Sequence, residues 1–257
     1  MADNTARRLV DRHPLQRLNS PSRGASALLH ARFLSVKGLR AYADFTTVPW
    51  SGFLRILFLL ARAKPKSRSY GWHLQYLTII GLSLAAATFA VGLLADLSAS
   101  PTLFRVKNAL SVASAPMECL ISLLYWSLRA VDEKLVLPDW AMRLPMHTDL
   151  SFHAVPSLTL VIDLLFFSPP YSITFLPALA LSGCIAFGYW FWIERCYQFN
   201  NFYPYPLFEM LSTAERIGLF GASALLMTLS TSLLVWLYGV VNGKVTGQQK
   251  SGNVKGE

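Results

Sequence analysis

The chain has 257 residues, of which 53% are hydrophobic and only 14% are charged, whereas soluble domains carry about a quarter charged residues. Its formal net charge of +9 comes without a basic motif interleaved with aromatic residues, which argues against nucleic acid as a partner. The three cysteines form no CxxC pair and have no histidine at metal spacing, so neither a disulfide framework nor a zinc site is indicated. The composition predicts an integral membrane protein.

The N-terminal part of the chain has no clear span. Residues 1–24 are polar and basic and lack the apolar core of a signal peptide. Residues 25–70 mix short apolar runs with Arg32 and Arg55, and an arginine in the middle of a span is costly. This segment is therefore predicted to be an interfacial helix or a degenerate first span, which would be a possible sixth crossing.

Long apolar blocks fill the core of the chain, residues 71–241, and predict an all-α fold. Each block has about 20 residues, enough to cross about 30 Å of hydrocarbon as a helix. Pro169 and Pro170 end one block and predict a tight helical hairpin with the next. Residues 242–257 are a polar C-terminal tail. The expected architecture is a polytopic transmembrane bundle with five clear spans, Trp72–Leu94, Asn108–Arg129, Ser151–Ser168, Tyr171–Ile193 and Ile217–Val241.

Two ionisable residues stand at the start of the third span. Asp149 and His153 are spaced i and i+4 and so share one helix face. A carboxylate one turn from an imidazole can fix the tautomer of the imidazole and raise its basicity. Asp149 also fits the plainer role of a helix cap at the membrane interface, whereas His153 lies a turn further inside and indicates a functional group.

Thr78 is predicted about two turns inside the first span. A lone threonine in a membrane helix normally donates its hydroxyl to a backbone carbonyl one turn back, which is a structural role. However, the first and third spans are separated by two crossings, so both start on the same side of the membrane. Thr78 and His153 are therefore expected at a similar shallow depth, and a hydroxyl beside a base is the minimum requirement for covalent acyl transfer.

Two acids, Glu118 and Asp163, lie deeper in the predicted spans. Each must be protonated, paired or in contact with water, because an isolated buried charge is too costly. Pairing with a hydroxyl or a backbone group is the favoured interpretation and gives both a structural role. The polar and aromatic segment RCYQFNNFYPYPLFEML, residues 195–211, is predicted to be a membrane-surface element or the rim of a cavity.

Four short motifs occur in an order that resembles a known family. They are GWHLQYLT, YWSLRAVDEKLVLP, the stretch Asp149–Pro156 and FYPYPLFEML, within residues 71–239. With these motifs the chain resembles the androgen-induced gene one/androgen-dependent TFPI-regulating protein family of polytopic membrane proteins. The resemblance implies hydrolysis of fatty acid esters of hydroxy fatty acids by an intramembrane threonine and a histidine, which correspond to Thr78 and His153. Relatives often have Asn where this chain has Asp149.

The resemblance also implies a mechanism and a setting. His153 takes the proton of the Thr78 hydroxyl, Thr78 attacks the ester, and water releases the acyl group without a metal or another cofactor. Asp149 supports His153, and Gln75, one helical turn before Thr78, is a candidate donor to the oxyanion. The expected partners are the bilayer and a lipid ester that arrives laterally from it. The endoplasmic reticulum or another endomembrane is favoured over the plasma membrane.

A second interpretation is a non-catalytic transporter or lipid-binding scaffold. Glu118 and Asp163 would then mark a polar pathway through the bundle, and transport would depend on them and on an ion gradient. A hydrolase instead needs Thr78 and His153 together. A third interpretation, a haem protein or oxidoreductase, lacks a second histidine at the depth of His153, since His73 lies near the interface.

Overall fold

The structure, a computed structural model, confirms an all-α protein. Within the part of the chain that it describes, every regular element is a helix. The expectations for most of the N-terminal segment and for most of the C-terminal tail lie outside the described residues. Those residues are 22–34, 69–137, 143–169, 171 and 173–242.

Four of the helices, α2, α3, α6 and α8, are long and apolar enough to cross a membrane. The pair α4 and α5 bends by 42° and forms a fifth candidate if the two are one span. The structure thus has four to five candidate spans where five are predicted. In chain order the helices are α1 (Arg23–Leu34), a 3₁₀ turn (Trp72–Gln75), α2 (Leu77–Ser98), α3 (Pro101–Val131), a 3₁₀ turn (Glu133–Leu135), α4 (Met146–His153), α5 (Val155–Phe167), α6 (Phe175–Asn200), α7 (Leu207–Met210) and α8 (Thr213–Asn242).

The first span starts later than the sequence predicts. Gly71 has a φ of 81°, and a Cβ atom there would lie 2.6 Å from Sγ of Cys196, so only glycine fits. Trp72–Gln75 then form a 3₁₀ turn, and α2 begins only after it. Thr78 therefore lies in the first turn of its helix, and the prediction that it lies two turns inside is wrong.

The second span starts earlier than the sequence predicts. The backbone of Ala99 is left-handed, with a φ of 53°, and ends α2. Ser100 then caps α3 by accepting a hydrogen bond from the N–H of Leu103 at 3.4 Å, and Pro101 provides a φ suited to the first helical position. The span begins at this Ser-Pro pair and not at Asn108, because the pair is itself a helix start signal.

Two prolines interrupt the helices in different ways. Pro116 lies inside α3 and cannot donate to the carbonyl of Val112, which accepts a hydrogen bond from the Tyr171 hydroxyl at 3.4 Å instead. Pro156 follows the break between α4 and α5, where the backbone of Ala154 leaves the helical conformation. The third predicted span is consequently a bent pair of helices, and the bend sets the direction of α4.

The outer surface of the bundle is apolar. Many of its large side chains are exposed on helices that are long enough to cross a bilayer. Exposed apolar surface of this extent marks contact with a membrane or a partner, and its place on four long apolar helices identifies the hydrocarbon of a bilayer as the solvent. Examples are Leu97, Leu176, Phe191, Leu233 and Trp236.

Four buried ionisable side chains meet at the end of the bundle where α2 turns into α3, which we term the charge cluster: His30, Asp96, Lys107 and Asp163. Nζ of Lys107 lies 2.5 Å from Oδ2 of Asp163, and Nε2 of His30 lies 2.8 Å from Oδ1 of Asp163. Nδ1 of His30 lies 3.0 Å from Oδ2 of Asp96. The cluster attaches α1 to α2, α3 and α5.

Both ring nitrogens of His30 face carboxylate oxygens. A neutral imidazole has one N–H, whereas an imidazolium has two, so the charged form suits both contacts. The charge cluster thus brings two basic and two acidic side chains together. Buried charges are tolerated in this way only when each has a partner.

The charge cluster leads to a prediction for stability. Lys107→Met leaves the carboxylate of Asp163 without its closest cation, and we expect the free energy of unfolding to fall by about 3 to 5 kcal/mol. Reversible unfolding in mixed detergent micelles, followed by circular dichroism, measures the change. The control is Arg105→Met, at an exposed position of the same helix, which should change stability by less than about 0.5 kcal/mol. Equal and small effects of the two variants would contradict this assignment.

Candidate active site

A cavity of about 130 Å³ lies between α2, α3, α6 and α8 and is bordered by the connection that precedes α8. Its wall is almost entirely apolar, and no charged side chain lines it among the residues that the structure describes. The connection contributes Tyr205, Leu207 and Phe208 to the wall, as expected for a cavity rim. The residues of the wall that carry a hydroxyl group are Thr78, Tyr125, Tyr189, Tyr205 and Ser223.

The hydroxyl of Thr78 differs from those of the other hydroxyl residues of α2. Ser83 and Thr88 donate to backbone carbonyls one turn back, at 2.7 Å and 2.8 Å. Thr78 lies in the first turn, where α2 has no carbonyl one turn back. Its Oγ1 and its backbone N–H both lie 3.5 Å from the hydroxyl oxygen of Tyr205. The Thr78 hydroxyl thus contacts Tyr205, another residue of the cavity wall, and not a carbonyl of its own helix.

Asp149 and His153 are in contact on α4. Nδ1 of His153 donates a hydrogen bond to Oδ1 of Asp149 at 2.8 Å, which leaves the lone pair of the imidazole on Nε2. The hydroxyl of Tyr125 donates to the same carboxylate at 2.7 Å, and Arg129 pairs with its other oxygen. Asp149 is buried and does not cap α4, whose N-terminal cap residue is Pro145. Asp149 is therefore not the N-cap residue, but it lies in the first turn of α4, where a carboxylate is favourable.

His153 lies one aromatic ring away from the cavity. Its ring stacks on the ring of Tyr125, with centroids 3.5 Å apart and an angle of 4°, and Tyr125 is part of the cavity wall. Nε1 of Trp126 donates to the carbonyl of His153 at 3.2 Å, at the break between α4 and α5. These contacts fix the position of the imidazole. Within the described ranges no hydrogen bond joins His153 to Thr78.

Gln75 is placed differently from the position that the sequence predicts. It ends the 3₁₀ turn, and the extended residue Tyr76 separates it from α2, so it is not one helical turn before Thr78. Its side-chain amide donates to Oγ of Ser69 at 3.0 Å and to the carbonyl of Trp72 at 2.9 Å. The Gln75 side chain therefore stabilises the 3₁₀ turn and makes no hydrogen bond to Thr78.

The two deep acids lie apart from this site and from each other. Asp163 belongs to the charge cluster, with Lys107 as its closest partner. Glu118 is buried on α3 against Gly81, and its Oε1 has no hydrogen-bond partner among the described residues. Lys107 and Glu118 are separated by about 16 Å of helix at 1.5 Å per residue. In the described part of the chain no hydrogen bond or ion pair connects Glu118 to the charge cluster.

Three residues of the site have no role in the predictions from sequence: Tyr125, Arg129 and Tyr205. Tyr125 and Arg129 are spaced i and i+4, which places their side chains together on one helix face. An arginine near the end of an apolar helix, one turn from an aromatic residue, could have identified this pair from the sequence. Tyr205 is brought to Thr78 by a contact across 127 positions of the chain, and no local pattern predicts such a contact. No group of three or more His, Cys, Asp or Glu side chains in the described ranges is arranged to hold a metal ion.

Comparison with known proteins identifies related membrane proteins. A model of the FAR-17a/AIG1-like protein family matches residues 40–239. The chain is 41% identical over 150 residues to a UPF0641 membrane protein of Schizosaccharomyces pombe, which covers 58% of this chain and 67% of the relative. It is 23% identical over 210 residues to the androgen-induced gene 1 protein of Homo sapiens, which covers 73% of this chain and 83% of the relative. No solved structure matches.

The ion pair of Asp149 with Arg129 leads to a prediction in which a second substitution should restore stability. Arg129→Gln leaves the buried carboxylate of Asp149 without its cation, and we expect the free energy of unfolding to fall by about 2 to 4 kcal/mol. The loss is smaller than for a fully buried ion pair, because solvent screens the partly exposed guanidinium of Arg129. Adding Asp149→Asn removes the uncompensated charge and keeps an acceptor for Tyr125, so the double variant should recover most of the loss. Unfolding in mixed micelles measures both. If the double variant lost as much stability as the Arg129→Gln and Asp149→Asn single variants together, the ion pair would not be the origin of the effect.

Proposed function

The chain belongs to the FAR-17a/AIG1-like protein family, and on this premise we propose that it is an intramembrane lipid ester hydrolase. Thr78 is the proposed nucleophile and His153 the proposed general base, with Asp149 orienting His153. One observation carries the proposal. A threonine hydroxyl that is not bonded to its own helix lies in the wall of an apolar cavity, one aromatic ring from the hydrogen-bonded pair of His153 and the buried Asp149.

The cavity supports a substrate whose ester lies between apolar chains. Its uncharged wall does not compensate a phosphate or another charged group, which would be costly to bury there. Fatty acid esters of hydroxy fatty acids, the class implied by the resemblance, carry their ester within an apolar chain. Such lipids reside in the bilayer and can enter between helices. An endomembrane is the proposed location, and no cofactor is required.

The first half of the proposed reaction forms an acyl-enzyme. Nε2 of His153 takes the proton of the Thr78 hydroxyl while Oγ1 forms a bond to the ester carbonyl carbon. The carbonyl π electrons move to the oxygen and then return, which breaks the bond to the alcohol oxygen. His153 delivers its proton to the departing alcohol. The acyl group is now bound to Thr78 as an ester.

The second half regenerates the protein. A water molecule gives a proton to His153, and its oxygen attacks the carbonyl carbon of the acyl group on Thr78. When the tetrahedral intermediate collapses, the bond to Oγ1 breaks, Oγ1 recovers the proton from His153, and the fatty acid is released. Asp149 accepts a hydrogen bond from Nδ1 throughout, which stabilises the imidazolium that forms twice.

Thr78 and His153 are not hydrogen-bonded in the structure, so proton transfer between them requires a bridging water or a shift of the Tyr125 and His153 rings. Catalytic hydrogen bonds often become short only when substrate is bound. The break between α4 and α5 is adjacent to His153 and is a place where such a shift can occur without disturbing a continuous helix.

The test is ester hydrolysis by the purified protein in detergent, with a fatty acid ester of a hydroxy fatty acid as substrate. We expect Thr78→Ala and His153→Ala each to lower kcat by at least about a thousandfold, the scale found when nucleophile or base is removed. Thr78→Ser keeps a hydroxyl and should retain part of the activity. Size-exclusion chromatography and thermal unfolding establish that each variant is folded.

Matched controls come from the same helices. Ser83→Ala removes a hydroxyl that is bonded to its own helix, and His147→Ala removes an exposed histidine of α4. Both should remain within about threefold of the wild-type kcat. A wild-type protein without activity on a panel of lipid esters, or Thr78→Ala and His153→Ala variants as active as these controls, would overturn the proposed function.

A further inference from the structure

Tyr205 is held rigidly beside Thr78 by the connection between α6 and α7. Pro204 and Pro206 flank it in the sequence and each fixes its own backbone φ angle. The Tyr205 ring packs edge-on against Tyr76, with centroids 6.0 Å apart at 90°, and against Phe208, with centroids 5.8 Å apart at 78°. A side chain fixed in this way keeps its hydroxyl at a constant place in the cavity wall.

The hydroxyl oxygen of Tyr205 accepts a hydrogen bond from the backbone of Thr78, which leaves the hydroxyl hydrogen free to be donated to another group. Its oxygen accepts from the N–H of Thr78 at 3.5 Å. Its own hydrogen is then available to Oγ1 of Thr78, also at 3.5 Å, or to a ligand that occupies the same space. Both contacts are long for hydrogen bonds, so a stronger acceptor in the cavity would displace the contact with Oγ1 at little cost.

The phenol remains protonated at neutral pH. Burial raises the pKa of Tyr205 above its ordinary value, and the contacts with Thr78 and Leu77 offset only part of that increase. A protonated phenol cannot accept the proton of Thr78 as a base. Its chemistry is that of a hydrogen-bond donor in a site of low dielectric constant, where a donor to a developing negative charge is most effective.

We propose that Tyr205 is a catalytic residue whose hydroxyl donates a hydrogen bond to the carbonyl oxygen of the ester while Thr78 attacks. The inference rests on the proposed function and assigns to it the oxyanion donor that Gln75 does not supply. When Oγ1 bonds to the carbonyl carbon, the carbonyl oxygen lies within about 2.5 Å of Oγ1 by covalent geometry, a position that a hydroxyl fixed 3.5 Å from Oγ1 can reach.

The step requires no proton transfer from Tyr205. As the bond between Oγ1 and the carbonyl carbon forms, the π electron pair moves to the carbonyl oxygen, and the Tyr205 O–H stabilises that oxyanion by a hydrogen bond. When the pair returns and the bond to the alcohol breaks, the hydrogen bond weakens again. The same donor serves the attack of water on the acyl group. Tyr205 therefore acts on both halves of the reaction.

The experiment compares Tyr205→Phe with the wild type in the ester hydrolysis assay. We expect kcat to fall about 10² to 10³-fold with KM changed by less than about threefold, because the donor acts on the transition state and not on the bound ester. The control is Tyr203→Phe, since Tyr203 lies in the same connection and its hydroxyl donates to Glu194 at 3.0 Å. This control should keep a kcat within about threefold of the wild type.

The outcomes separate this inference from the proposed function. Tyr205→Phe with wild-type kcat, next to an inactive Thr78→Ala, would overturn the role of Tyr205 and leave the proposed function intact. A wild type that hydrolyses no lipid ester would overturn both. A fall in kcat in Tyr205→Phe equal to the fall in Tyr203→Phe would assign the effect to the connection as a whole and would also overturn the inference.

A second substitution keeps the ring and the hydroxyl, so that a loss of folding does not decide the result. Replacement of Tyr205 by 3,5-difluorotyrosine gives a phenol that ionises at lower pH, and a phenolate cannot donate. We expect the alkaline decline of kcat to move to lower pH than in the wild type. An unshifted alkaline limb would contradict donation by Tyr205.

Discussion

The carboxylate of Asp149 is the interaction on which the site depends. It is buried, yet it joins three partners from two helices: Nδ1 of His153, the hydroxyl of Tyr125 and the guanidinium of Arg129. An unpaired charge in the bundle would be costly, so the carboxylate requires partners of this kind. They fix the His153 ring against Tyr125 and hold α4 to the end of α3. The position of the imidazole relative to the cavity is therefore a consequence of electrostatics as well as of packing.

The same constraint operates at the other end of the bundle, where its result is structural. The charge cluster joins four helices through contacts of 2.5 to 3.0 Å, and it contains Asp163, one of the two acids that a transport pathway would require. An acid locked between Lys107 and His30 has little freedom to bind and release an ion. Two groups of polar residues thus serve different purposes at opposite ends of one apolar bundle. The group beside the cavity is the one that the proposed chemistry requires, whereas the other one joins helices of the fold.

The sequence predicts the fold class well because apolar blocks of about 20 residues identify spans directly. The spacing of Asp149 and His153 also predicts their contact, since i and i+4 share a helix face. The boundaries are less predictable: no proline and no typical N-cap residue separates the 3₁₀ turn at Trp72–Gln75 from α2, so the predicted span begins too early and Thr78 is placed too deep. Tyr205 is invisible to such patterns, because its contact with Thr78 depends on the tertiary path of the connection before α8.

The most direct measurement is the identification of the side chain that reacts covalently with an ester mimic. The purified protein is treated with a lipid fluorophosphonate, which forms a stable bond with an activated nucleophile, and the modified residue is located by mass spectrometry of the digested chain. We expect a single label on Thr78 that is lost when the protein is first saturated with a lipid ester. A label on any other side chain, or none on a protein that hydrolyses the ester, would contradict it.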